Sequence, residues 1–87
     1  MMEPRPNVRL EWADISPYRA VLYEIREDNP FNRKIASVEY DYETCTFMAC
    51  IHNGEVLFDA ETELASKIEA QEHALAMLVV RRMEQAM

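Results

Sequence analysis

Eighty-seven residues, 49% apolar and 29% charged, fit one folded domain and exclude both two independent cores and a disordered chain. Sixteen acidic residues against nine basic ones leave a formal charge of −7, which disfavours nucleic acid and anionic membranes as partners. No apolar run is long enough to span a bilayer and Met1–Pro6 carries no hydrophobic signal core, so the expected location is cytoplasmic, with no membrane partner.

Pro4 and Pro6 mark residues 1–7 as a loose N-terminal arm, leaving residues 8–87 as a single domain. In "NVRLEW", Val8, Leu10 and Trp12 alternate with Arg9 and Glu11. That alternation fits either an extra N-terminal strand or a short extended segment that packs only its Trp. "SPYRAVLYEIRED" reads as a first helix: Ser16 caps, Pro17 suits the first turn, and Tyr18, Val21, Leu22 and Ile25 recur at helical spacing. Asn29-Pro30 ends it, because the residue before proline avoids helical dihedrals.

From Ile35 the period falls to two. Ala36, Val38 and Tyr40 alternate with Ser37, Glu39 and Asp41 as a half-buried strand, followed by a turn around Tyr42-Glu43. A second strand shows Cys45, Phe47, Ala49 and Ile51 on one face and Thr44, Thr46, Met48 and Cys50 on the other. Asn53-Gly54 is a strong hairpin signal, with both residues suited to the central positions of a type I′ turn. "EVLFDA" follows as the third strand, Val56, Phe58 and Ala60 alternating with Leu57 and Asp59. A long helix then runs from about residue 63 to about residue 84, capped by Thr62 or Ser66.

On that helix Ala70, Ala74, Met77 and Leu78 share one arc. Leu64, Ile68, Leu75, Val79 and Met83 share a bulkier one. The small arc suits close approach to a sheet. The bulky arc is partly covered if the first helix lies beside it, and its remainder is free to meet a protein partner or a second copy.

The stretch "FMACIHNGEVLFDAETELASKIEAQEHALAMLV" resembles the double-stranded RNA-binding domain, with a match extending from about Pro17 to Val80. The resemblance implies an α+β fold in the order α–β–β–β–α: a three-stranded antiparallel meander with both helices on one face. It also implies phosphate-gripping lysines at the start of the second helix. Here those positions read Lys67-Ile68-Glu69-Ala70-Gln71, so Lys67 remains while Ile68 and Gln71 stand where the family holds cations. Family members lacking those cations commonly bind protein or dimerise.

The expected function is therefore a non-enzymatic protein-binding or dimerising module, with Ile68, Leu75, Val79 and Met83 as its contact surface. An alternative is a small acidic phage-type inhibitor, of the anti-CRISPR or anti-restriction class, that mimics nucleic acid through Glu39, Asp41 and Asp59 with Glu61 and Glu63 beside them. A second alternative is weak duplex RNA binding through Lys67, Arg33 and Lys34. Cys45, Cys50, His52 and His73 lack the spacing of a metal knuckle, and the two thiols fall on opposite strand faces. No catalytic residue, metal, cofactor or small-molecule substrate is expected. The single glycine, Gly54, excludes Gly-rich phosphate loops.

Overall fold

The computed structural model describes residues 8–28 and 31–86, with the side chains of Gln85 and Ala86 left aside. The expected arm over residues 1–7 and the expected helix stop at Asn29-Pro30 lie outside the described residues. Five strands precede one helix: β1 (Val8–Ser16), β2 (Arg19–Arg26), β3 (Arg33–Asp41), β4 (Thr46–Asn53), β5 (Val56–Leu64) and α1 (Lys67–Ala86). The strands pair in chain order, all antiparallel, as one five-stranded meander.

The α–β–β–β–α order is thus corrected. The described residues form five strands rather than three, and one helix rather than two, so the fold implied by the resemblance to the double-stranded RNA-binding domain does not form. The error lies in residues 16–26. Tyr18, Val21, Leu22 and Ile25 do sit at helical spacing, but Ala20, Val21 and Leu22 are buried consecutively. Such a run belongs to an interior strand with apolar residues on both faces, where Val21 is buried among its neighbours on the helix-free side and period-two alternation is lost. Ser16 and Pro17, read as a helix start, build the β1–β2 turn instead: the Tyr18 amide donates to Ser16 Oγ at 3.1 Å. Val, Tyr and Ile within β2 suit a pleated surface.

One sheet face carries Leu22, Ala36, Val38, Ala49 and Ile51, which form the core with Ile35, Leu64 and the helix residues Ala70, Ala74 and Leu78. Trp12, Phe47 and Met77 pack at its margin. The opposite face has a row of small residues across all five strands, Ala13, Val21, Ser37, Cys50 and Ala60, aligned by register.

Three local details differ from expectation. Asn53 pairs with Val56, so Gly54 and Glu55 are the central residues of the β4–β5 turn, and Gly54 alone supplies the positive φ, at 65°. Cys45 sits in the β3–β4 turn with φ 57° rather than in a strand, and both cysteines are free. α1 starts at Lys67, not near residue 63, because β5 continues to Leu64. Ser66 is its cap: Ser66 Oγ accepts from the Glu69 amide at 3.1 Å, and the Glu69 carboxylate accepts from the Ala65 amide at 3.2 Å. Among the described residues no helix is long and apolar enough to cross a membrane.

Candidate protein-interaction surface

α1 lies over β3 and β4, with slight contact to β5. Ala70 and Ala74 face the sheet and are fully buried, so the helix backbone approaches closely, as their small size predicts. Four inter-strand spacings of about 4.8 Å separate the outer strands by roughly 19 Å, against about 10 Å for a helix. One helix therefore covers about half of this face.

The helix is fixed at both ends towards the uncovered side. Lys67 Nζ donates to Asp14 Oδ1 at 2.7 Å and to the Ser16 carbonyl at 2.8 Å, tying the first turn to the end of β1. Near the last turn Arg82 lies 3.9 Å from the Glu24 carboxylate of β2. Helical spacing puts Leu75 and Ile68 on the same flank as Arg82. On β1, Val8 and Leu10 share the face of Trp12 and remain exposed.

The four residues expected to meet a partner fall on one stripe, Ile68, Leu75, Val79 and Met83, with fractional exposures of 69, 37, 57 and 63%. Residues 16–26 form no helix to cover any of it, so the expected partial cover by Tyr18, Val21, Leu22 and Ile25 is corrected as well. Tyr18 belongs to the β1–β2 turn and Val21, Leu22 and Ile25 to β2, where Leu22 joins the core beneath α1 and Val21 faces the helix-free side.

The acidic residues do not gather. Glu39 and Asp41 lie on the helix-free face, where Glu39 pairs with Arg19 at 3.3 Å and Asp41 Oδ1 accepts from the Glu43 amide at 2.9 Å. Asp59 sits opposite Ile51, and Glu61 opposite Ala49, which places both on the helix side. Glu63 occupies an irregular step of β5 with φ 67°. A bulge at Phe58 causes the split. It inserts one residue between the Leu57–His52 and Asp59–Ile51 pairs, and so turns Asp59 to the other face.

The three cations proposed for RNA are also separated. Lys67 is held by Asp14, while Arg33 and Lys34 sit at the start of β3, beside the β4–β5 turn, where the Gly54 amide donates to the Lys34 carbonyl. Sequence reasoning missed a different gathering: Arg33, Arg81 and Arg82 meet Glu24 at a cleft of about 230 Å³ that includes Ile35, Ile51 and Leu78. The Arg81 guanidinium lies over the Phe58 ring at 4.2 Å. A cluster of Tyr18, Tyr40, Tyr42 and Phe47, with neighbouring centroids 5.0 to 6.2 Å apart, was also missed. Both gatherings join residues from separate turns and strand ends, so no local spacing announces them.

On the helix-free face Ser37 Oγ and His52 Nε2 share a hydrogen bond of 2.7 Å, joining β3 to β4. Burial holds His52 below its ordinary value, and the nearby Lys34 charge acts in the same direction. Its Nδ1 is buried with no protein partner. Cys50 is pushed up, chiefly by burial. Among the described residues no three His, Cys, Asp or Glu side chains are placed to hold a metal.

Fold and surface together define a helix-backed antiparallel meander with an uncovered apolar stripe. The chain matches no protein-family model, no curated protein and no solved structure.

Proposed function

We propose that this chain is a non-enzymatic interaction module that binds protein through the outward stripe of α1. The observation that carries this reading is the exposure of Ile68, Leu75, Val79 and Met83 on one side of a helix whose opposite side is already packed on the sheet. A helix backing a single sheet needs one apolar face, and its outer face is ordinarily polar. Exposed apolar patches of this kind mark contact surfaces. The exposed fractions of the four side chains sum to more than two complete ones, roughly 3–7 kcal/mol of transfer free energy per copy if covered.

The chemistry-bearing residues support a non-catalytic role. Cys45 is in a turn, Cys50 and His52 are on the helix-free face, and His73 is on the β5 flank of α1. The test is the double variant Ile68→Asp with Val79→Asp. It is expected to abolish association, with itself or with a captured partner, while leaving the melting temperature of the isolated domain unchanged. Association that survives both charges would refute the assignment.

A further inference from the structure

The stripe on α1 runs from Ile68 to Met83, roughly 22 Å of helix. Both of its ends are apolar. A two-fold axis between Leu75 and Ala76 would set Ile68 of one copy level with Met83 of the other, Leu75 level with Ala76, and Val79 level with Glu72. The charges bordering the stripe are arranged in the same sense. Glu69 and Glu72 lie in the N-terminal half of the helix and Arg82 in the C-terminal half, while Arg81 is turned to the sheet side over Phe58 and Glu84 lies towards the β5 flank. Two antiparallel copies bring acidic ends near basic ends and oppose their helix dipoles, whereas parallel copies place like beside like.

The geometry points to a second copy of this chain as the occupant of the stripe, docked as an antiparallel α1–α1 pair about a two-fold axis. This rests on the reading of α1 as the interaction surface and names its partner. The competing route to a dimer is the exposed edge of β5, which has nine residues, neither Lys nor Pro, and exposed Val56, Leu57 and Phe58. Pairing β5 with its own copy would bring Asp59, Glu61 and Glu63 of both strands together, and like charges across a strand pair oppose it. The helix stripe carries a single acidic residue, Glu72, among its apolar positions, and antiparallel pairing gives it the partner's Arg82 within about one turn.

Sedimentation velocity on the full chain tests the inference, together with Val79→Asp and with Ala76→Cys in a Cys45→Ser background. The wild type is expected to dimerise. Val79→Asp should weaken the dimer on the order of 30-fold or more, because residue 79 lies near the centre of the stripe. Ala76→Cys should cross-link readily under mild oxidation, because the two-fold brings both copies of residue 76 together. A dimer that survives Val79→Asp, or one that Ala76→Cys does not trap, overturns the antiparallel helix pair. A wild type that stays monomeric at high concentration overturns the second copy as occupant. In that case the broader reading is decided separately, by whether the double-aspartate variant loses a captured partner.

Discussion

Ala20 separates the five-stranded fold from a helical reading of residues 16–26 more cleanly than any apolar position in that stretch. On a helix carrying Tyr18, Val21, Leu22 and Ile25 inward, Ala20 would point to solvent. In the sheet it is 0% exposed and stands opposite Val38, itself fully buried, on the face under α1. Ala20→Leu forces three extra carbons into that contact, and overpacking of this kind costs about 1–3 kcal/mol. At about 0.05–0.15 kcal/mol per residue, a domain of this length has roughly 4–13 kcal/mol of stability to lose. A loss of about 2 kcal/mol should lower the melting temperature by about 8–16 °C, read by circular dichroism. Ala60→Leu, exposed on β5, is the control and should change stability by no more than about 0.5 kcal/mol. An Ala20→Leu protein that melts with the wild type would refute the placement of β2.

Ser66→Ala should destabilise by about 1 kcal/mol in urea titration, because it removes the acceptor for the Glu69 amide, whereas Thr62→Ala, the other capping candidate, should be near neutral. His52 binds its proton less readily folded than unfolded. Its contribution is therefore complete above the unfolded value of about 6.5 and is lost as pH falls through that value towards the lower folded one. Stability should accordingly drop as pH falls below the unfolded value of about 6.5, and His52→Gln should reduce that slope. An alkylating thiol reagent should modify exposed Cys45 at once and Cys50 only on unfolding, since Cys50 is buried and its thiol is pushed up. Mass spectrometry after timed labelling reads both.

The elements legible in the sequence are those whose residue types alternate or recur at helical spacing. Ala36, Val38 and Tyr40 stand out in β3 because its other face carries the polar residues Ser37, Glu39 and Asp41, even though Ser37 is itself buried, and the two arcs of α1 follow from helical spacing alone. β2 was hidden because burial on both faces gives Ala20, Val21 and Leu22 no alternation, and because Ser16-Pro17 suits a helix start and a tight turn equally well. β1 takes its place by pairing with β2, so it could not be placed firmly while β2 was misread. The stripe at Ile68, Leu75, Val79 and Met83 was visible as apolar surplus. Its full exposure depended on the missing first helix. The supposed acidic face failed through one residue: the bulge at Phe58 reverses the side on which Asp59 projects, and strand alternation carries no sign of it.

The outer stripe of α1, bordered by the bare β1–β2 half of the sheet, is the contact surface we propose a second copy fills. A dilution series followed by amide nitrogen–proton correlation spectra tests it residue by residue. Concentration-dependent shifts should be confined to residues 68–83 and to the neighbouring Leu10 and Trp12, with β5 silent. Shifts centred on Val56–Leu64, or spectra unchanged across the series, would contradict it.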